Sequence, residues 1–217
     1  MTTGHSIIQA GASRSFAKDH ALIANGIDGA DAVVIVGDDA GAIFQSIHDR
    51  TAKTVVLVEL GMECLGVHTG ESRGLEGSNV LGFARFSLGD RESSNLVELV
   101  RQPQTAATAI EAAKRIFASA GLQVALCNDF AGRIIDRLVR PYYNAALRRL
   151  DEGLASADDL DATLKLGLGY PEGPIALLER TGLHHHFDVS QALFETYGES
   201  AYAPARRARV AKQRQGG

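Results

Sequence analysis

The sequence contains few of the residues that build disulfide or metal-held frameworks. Only two of its 217 residues are cysteine, Cys64 and Cys127, and their separation fits neither a zinc-ligand spacing nor a disulfide scaffold. Tryptophan is absent. We therefore expect no metal site, and we interpret the two thiols as typical of a protein of the reducing cytoplasm.

Long apolar runs and an excess of one charge are also missing. No segment reaches the roughly 18 consecutive apolar residues of a membrane span, and MTTGHSIIQAG lacks the features of a secretory signal. The formal net charge is -4, with 22% charged and 45% hydrophobic residues. This composition predicts a globular protein without a general affinity for nucleic acid or anionic membranes.

The first half of the chain alternates strand and helix patterns. DAVVIVGDD and KTVVLVEL are continuous β-branched runs typical of strands buried on both faces of a parallel sheet. Between them, AGAIFQSIHDRT has helical spacing, which predicts a right-handed crossover. Further strands are predicted in HSIIQ, NVLGFARF, NLVELV and LQVALC, a helix in TAATAIEAAKRIFASAG, and a mobile loop over 61–78. We assign residues 1–126 to an α/β domain.

The second half reads as helices only. A helix is predicted from near Ala131, with apolar residues three and four apart, up to a break at Gly153. Ser156 is a candidate cap for the next helix, and a glycine and proline loop covers 167–174. Later helices are predicted over 158–166, 174–181 and 185–197, and the basic tail RRARVAKQRQGG is expected to fray. We assign residues 127–217 to an all-α domain.

Three motifs of this half carry a resemblance to a known family. They are the run from Asp129 to Tyr142, the run from Glu152 to Asp161, and KLGLGYPEGP from Lys165 to Pro174. Together they closely resemble the C-terminal helical domain of the NAD-dependent 3-hydroxyacyl-CoA dehydrogenases. The resemblance implies a truncated Rossmann-like parallel sheet domain followed by that helical domain, as in the second half of double-length dehydrogenases of fatty-acid and aromatic degradation.

The glycine fingerprint of a dinucleotide site is missing. Such a site presents its pyrophosphate to backbone N-H groups at a G-x-G-x-x-G turn, and no such run exists here. The nearest candidates are the segments 4–11 and 37–41, but in the second Asp38 and Asp39 place negative charge where phosphates would lie. Relative to the family, the chain is expected to start after the first strand. We therefore expect no bound cofactor, although NAD serves the family.

The residues that would perform the chemistry are incomplete as well. The family's catalytic histidine corresponds to Ala84 in GFARFSLG, and its glutamate to Glu98 in LVELV. The family asparagine that polarises the substrate carbonyl corresponds to Asp136, and an anion cannot donate a hydrogen bond to an oxyanion. Glu98 and Asp136 are therefore interpreted as vestigial catalytic positions. Glu98 could equally be a polar residue on the exposed or interdomain face of a strand.

Other polar clusters have functional and structural interpretations side by side. The resemblance places Tyr170, Pro171, Gly173 and Pro174 beside the acyl group as substrate-binding residues, although a helix junction explains the same loop. His184 to His186 fit a surface patch better than a metal site, and Ser72, Cys64 and His68 fit a solvated loop better than a nucleophile and base. Arg133, Arg137 and Arg140 could bind CoA phosphates, or form ion pairs with Asp136, Asp151 and Glu152.

Three functions remain open from the sequence. The first is a family member that has lost its chemistry and binds an acyl-CoA or a full-length dehydrogenase. The second is an active NAD-dependent dehydrogenase completed by another chain. The third is unrelated chemistry in an interdomain cleft, using Glu98 and Asp136. The resemblance also implies a homodimer, for which the apolar faces with Tyr142, Tyr143, Leu147, Phe187 and Leu193 are candidates.

Overall fold

A computed structural model describes residues 4–89 and 94–216 of the chain. The described residues divide into two compact units. The first, the α/β unit, holds residues 4–87 and 94–133. The second, the helical unit, holds residues 88, 89 and 134–216. The α/β unit thus extends to Arg133, whereas the sequence placed the domain boundary at 126.

The α/β unit is built on a six-stranded sheet in the order β1 to β6. Four helices and a 3-10 turn, Arg50–Ala52, connect the strands. The strands are β1 Ser6–Gln9, β2 Ala32–Val36, β3 Val55–Glu59, β4 Val80–Arg85, β5 Leu96–Arg101 and β6 Gln123–Asn128. The helices are α1 Ala21–Ala24, α2 Ala40–Ser46, α3 Gly66–Thr69 and α4 Ala107–Ser119.

Strand direction changes once across the sheet. β1 to β4 are parallel, β5 is antiparallel to β4, and β6 is parallel to β5. The fold class predicted from the sequence is confirmed, although β5 and β6 both run opposite to β1–β4, so the sheet is mixed and not purely parallel. The interpretation of 61–78 as a loop missed α3, whose first N-H groups, those of Leu65 and Gly66, donate to the carboxylate of Asp129.

Both faces of the sheet are covered by apolar side chains. On one face Phe83, Val97 and Leu99 pack with α4 residues such as Ile116 and Phe117. On the other, Val80 and Val100 pack with Ile35, Val58 and Leu65. β2 and β3 are buried along their whole length, as expected for strands covered on both faces.

The helical unit contains five helices. They are α5 Ile135–Asp151, α6 Ala157–Leu168, α7 Pro174–Thr181, α8 Leu183–Tyr197 and α9 Arg206–Gln215. Ser156 caps α6 as predicted, since its hydroxyl accepts the N-H of Asp159 at 3.1 Å. The core of the helical unit contains Tyr143, Leu147, Ile175, Leu178 and Ala208.

Two predictions for this unit are wrong. The first helix begins at Ile135 and not near Ala131, because Gly132 and Arg133 both have positive φ, 72° and 51°. The basic tail forms α9, because the carboxylate of Asp151 binds Arg206 at 2.7 Å and Arg207 at 2.8 Å while Ala208 packs into the core. None of the helices within residues 4–89 and 94–216 is long and apolar enough to cross a bilayer.

Candidate functional site

The two positions that the sequence assigned to a catalytic dyad are direct neighbours in the sheet. Ala84 of β4 and Glu98 of β5 are cross-strand partners, so their side chains project from the same face. Alternation along each strand places both on the face of Val80 and Val100. Ala84 is 4% exposed and Glu98 2%. The structure therefore sets a methyl group opposite a buried carboxylate.

The carboxylate of Glu98 has a cationic neighbour that the sequence did not assign to it. Nε of Arg133 lies 3.6 Å from Oε2 of Glu98, and both side chains are buried. This separation is an ion contact but is too long for a hydrogen bond. Of the alternatives for Glu98, a polar residue on an exposed strand face is excluded by its burial.

The two thiols near this pair are poor nucleophiles. Burial raises the pKa of Cys127 to about 11, and the charge of Glu98 adds to the effect. Burial also raises the pKa of Cys64, as does the charge of Asp129. Since the thiolate is the reactive form, both thiols are protonated and unreactive near neutral pH.

The other groups once considered as a nucleophile and base are not assembled as a triad. Nε2 of His68 lies 3.4 Å from the carboxylate of Glu63, and its ring packs against Gly41. Burial tends to raise the pKa of Glu63, but the N-H of Gly61 and the contact with His68 lower it on balance. The backbone N-H of Ser72 donates to Glu76 at 2.9 Å. His68 is thus oriented by a carboxylate, which the sequence interpretation had missed.

If a dinucleotide bound to this sheet, its pyrophosphate would be expected at the turns after β1 and β2. Their N-H groups already have acceptors: the carboxylate of Glu59 accepts from Gly37 at 2.6 Å and from Ser15 at 2.8 Å. Asp38 accepts the N-H of Ala12 at 3.1 Å. A Cβ at Gly37 would lie 2.1 Å from the Ala10 carbonyl oxygen, so this glycine permits contact between two turns. The residues of these turns therefore do not fit a pyrophosphate.

Asp136 belongs to a hydrogen-bonded network inside the helical unit. Its carboxylate accepts from Nε of Arg140 at 2.8 Å, and Nη1 of Arg140 lies 3.3 Å from Nδ1 of His186. Because a guanidinium can only donate, Nδ1 is the acceptor and Nε2 carries the proton. That Nε2 donates to the Asn144 carbonyl oxygen at 3.0 Å. Asp136 is therefore an ion-pair partner.

Burial fixes the protonation state of His186 as well. Its pKa falls to about 3, mainly because burial disfavours the imidazolium and secondly because Arg140 repels it. The interpretation of His184 to His186 as a surface patch is wrong for His186, which is 1% exposed. Within the described ranges, no group of three histidine, cysteine or acidic side chains could hold a metal ion.

The three arginines of the central run have separate structural roles. Arg140 pairs with Asp136, Arg133 with Glu98, and Arg137 stacks over the ring of Tyr197 with 4.9 Å between its Cζ and the ring centroid. A hydrogen bond from Arg137 to Tyr202 raises the pKa of Arg137 further. These contacts favour the ion-pair and packing interpretation over a CoA phosphate site.

The loop assigned to the acyl group is a helix junction. Both oxygens of the Asp161 carboxylate accept N-H groups at the start of α7, from Ile175 at 2.9 Å and Ala176 at 2.8 Å. Gly173 lies directly against Asp161 and has no room for a side chain. The Tyr170 ring contacts Tyr142 edge-on, with 6.1 Å between centroids, and is 42% exposed. Of the four residues, Tyr170 thus presents a ring to solvent.

Known proteins resemble the chain most strongly in the helical unit. The family model for the 3-hydroxyacyl-CoA dehydrogenase C-terminal domain matches residues 132–216. A 3-hydroxybutyryl-CoA dehydrogenase of Bradyrhizobium diazoefficiens is 38% identical over 109 residues, 50% of this chain and 37% of the relative. A 3-hydroxyadipyl-CoA dehydrogenase of Escherichia coli K12 is 36% identical over 102 residues, 47% of this chain and 22% of the relative.

The fold likeness extends further than the sequence likeness. The crystal structure of (S)-3-hydroxybutyryl-CoA dehydrogenase from Ralstonia eutropha superposes with a TM-score of 0.67 at 22% identity. The match covers 83% of this chain and 64% of that one. The chain thus spans about two fifths or less of the two curated relatives in sequence, and under two thirds of this structure.

One expectation from the sequence is contradicted by these comparisons. We expected no cofactor, but the matching family and its structural neighbours are NAD-dependent dehydrogenases. The absence of a glycine fingerprint was therefore an insufficient ground for that expectation. Residues 132–216 match the C-terminal domain of the 3-hydroxyacyl-CoA dehydrogenases, and the chain shares the fold of its structural neighbours.

Proposed function

We propose that the chain binds an acyl-CoA of fatty-acid or aromatic acyl degradation and does not, by itself, oxidise a 3-hydroxyacyl group. A role in acyl-CoA metabolism is what the family and the named relatives support. The loss of chemistry is the additional step. It rests on the residues of β4 and β5.

The observation that carries this proposal is the pairing of Ala84 with Glu98. Oxidation of a secondary alcohol needs a base to take the hydroxyl proton while hydride leaves the carbon. A methyl group cannot accept a proton. Nor does Glu98 take over this task in the geometry seen, because it is buried and paired with Arg133. The chain could therefore still bind an acyl-CoA although it lacks the residue that would accept the hydroxyl proton.

Exposed groups of the helical unit support a remaining binding role. Tyr170 keeps part of its ring accessible, and its rigid packing on Tyr142 would let it border an acyl chain at little entropic cost. Pro171, Gly173 and Pro174 would act by fixing this ring's position. The contribution of these four residues to acyl binding is part of the proposal.

Titration calorimetry on the full chain tests the proposal. We expect heat of binding with acetoacetyl-CoA and no NADH formation when 3-hydroxybutyryl-CoA and millimolar NAD are supplied together. Tyr170→Ala should weaken acyl-CoA binding severalfold, whereas Tyr197→Ala, a tyrosine of α8, serves as a matched control. A steady rate of NADH formation by the unmodified chain would contradict the loss of chemistry.

Restoring a base gives a second test. In Ala84→His we expect no NADH formation, because Glu98 is held by Arg133 and is not free to orient an imidazole. Circular dichroism would establish that the variant keeps its fold, since position 84 is buried. A rate that appears in Ala84→His would mean that the lost base was the whole difference from an active enzyme.

The second candidate is an active NAD-dependent dehydrogenase completed by another polypeptide. The observation that favours it is the retention of Glu98 as a buried carboxylate in a family whose members are dehydrogenases. Such a partner, for example a full-length dehydrogenase, would have to contribute the proton acceptor. NADH formation that appears only on mixing the two chains would support it.

We also propose a homodimer through the face of α5 and α6. Tyr143, Leu147 and Leu193, once candidates for this contact, are buried in the unit's own core and cannot form it. An apolar groove of about 410 Å³ remains, lined by residues that include Tyr142, Leu160 and Leu164. Leu154, Leu166 and Leu168 expose 67%, 87% and 65% of their surface. Sedimentation of Leu154→Glu, a substitution at an exposed residue that lines the groove, against the unmodified chain tests this. A cytoplasmic location stays a prediction.

A further inference from the structure

Arg133 is held in a conformation that an arginine rarely adopts. It follows Gly132 in the link between β6 and α5, and its φ is 51°. Its N-H donates to the Phe130 carbonyl oxygen at 3.0 Å, which closes a turn immediately before the helix. A side chain in this left-handed region is strained, and residues that keep such strain are concentrated at functional sites.

The guanidinium of Arg133 is also short of hydrogen-bond acceptors. Its side chain is 6% exposed, yet among the described residues nothing accepts a hydrogen bond from Nε or Nη1. A buried donor without an acceptor destabilises the fold, and more so when the group is charged. Two such donors on one side chain indicate a place where an external acceptor would be stabilised.

Neighbouring charges limit what that acceptor can be. The ion contact with Glu98 already balances the charge of Arg133, so a second anion would be repelled by the carboxylate. A neutral oxygen, such as a carbonyl or a hydroxyl, meets no such repulsion and can accept from both donors. Because Glu98 is the cross-strand partner of Ala84, Arg133 lies beside the position where the base is missing.

We propose that Nε and Nη1 of Arg133 bind the C3 oxygen of a 3-oxoacyl or 3-hydroxyacyl thioester. This inference rests on the acyl-CoA binding proposed above and adds the residue that distinguishes such thioesters from unsubstituted ones. A guanidinium has donors but no acceptor, so Arg133 can bind an oxygen but cannot serve as the base. It is thus a specificity residue of a site that binds without oxidising.

The test compares three ligands that differ only at C3: acetoacetyl-CoA, 3-hydroxybutyryl-CoA and butyryl-CoA. In the unmodified chain we expect the first two to bind at least about tenfold more tightly than butyryl-CoA, the usual effect of a hydrogen bond to a charged group. Arg133→Met should remove this preference while the butyryl-CoA affinity stays within about twofold. Arg101→Met, which removes an exposed arginine of β5, should keep the preference.

The possible failures can be told apart. If the unmodified chain binds none of the three thioesters, the proposed function fails. If it binds all three equally, or if Arg133→Met keeps the preference, acyl-CoA binding stands and the role of Arg133 is overturned. Should Arg133→Met not fold, Arg133→Lys keeps the charge but loses Nη1, and it must still reduce the preference severalfold.

Discussion

The two units of the molecule each bury a carboxylate beside an arginine, and the two pairs differ in how completely they are hydrogen-bonded. In the helical unit, Asp136 and Arg140 meet at 2.8 Å and continue into His186 and Asn144. In the α/β unit, Glu98 and Arg133 stand 3.6 Å apart, and two guanidinium nitrogens have no acceptor among the described residues.

This difference separates a stabilising role from a binding role. A buried charge that is paired and fully hydrogen-bonded can stabilise a fold, whereas unsatisfied donors oppose folding. Asp136, which the sequence interpretation aligned with the family's carbonyl-polarising asparagine, forms an ion pair with Arg140. In the other pair, two donors of Arg133 have no acceptor among the described residues, which is what the proposed binding role uses.

The largest loss of stability is expected from substitution of Arg140, in the fully hydrogen-bonded pair. Arg140→Met leaves the carboxylate of Asp136 buried without its cation and removes the donor to His186, so we expect a loss of about 3 to 5 kcal/mol in the free energy of unfolding. Urea denaturation measures it. The exposed pair of Arg149 and Glu152 supplies the control, since Arg149→Met should cost about 1 kcal/mol or less. Equal losses in both variants would contradict a special role for the buried pair.

A smaller effect should appear in the pH dependence of stability. The pKa of His186 is about 3 in the folded protein and near 6.5 when unfolded, so between these values only the unfolded chain takes up the proton. The contribution is fully present above pH 6.5 and is lost as the pH falls toward 3, by about 1.4 kcal/mol per pH unit. His186→Asn keeps an acceptor for Arg140 and should have a slope lower by this amount. Identical slopes in urea denaturation series would refute the buried neutral imidazole.

The smallest effect concerns the junction beneath Tyr170. Asp161→Ala removes the acceptor of two N-H groups at the start of α7, so we expect a loss of about 0.5 to 2 kcal/mol in the free energy of unfolding. Asp158→Ala removes a neighbouring acidic residue of α6 that is not this acceptor, and it should cost less. If Asp161→Ala is as stable as Asp158→Ala, the loop is not held by this carboxylate.

Much of the sheet was predictable because each strand is indicated by a short run of neighbouring residues. The apolar runs of β2 and of β3 up to Val58 leave no polar position for an exposed face, and the sequence identified both strands. The correspondence of Ala84 and Glu98 with the family's dyad came from short motifs, and the structure places these two residues opposite each other.

The sequence did not reveal which polar residues far apart in the chain contact each other. Arg133 was grouped with Arg137 and Arg140 on one helix, yet its positive φ places it before α5 and lets it reach β5. His186 was assigned to a surface patch at a helix start, although Asn144 and Arg140, more than forty positions earlier, contact its ring. A periodic pattern assigns a residue to a face of its own helix. It does not reveal which distant polar group that face will meet.

The side chain of Glu59, at the end of β3, helps to hold the edge strand β1 in the sheet. β1 has four residues and a single neighbouring strand, so few backbone hydrogen bonds hold it in the sheet. The carboxylate of Glu59 accepts from Ser13 and Ser15 beyond the end of β1 and from Gly37 beyond β2. Glu59 thus joins the segments that follow β1 and β2 to the end of β3, and replacing it with an apolar residue would remove acceptors from both segments at once.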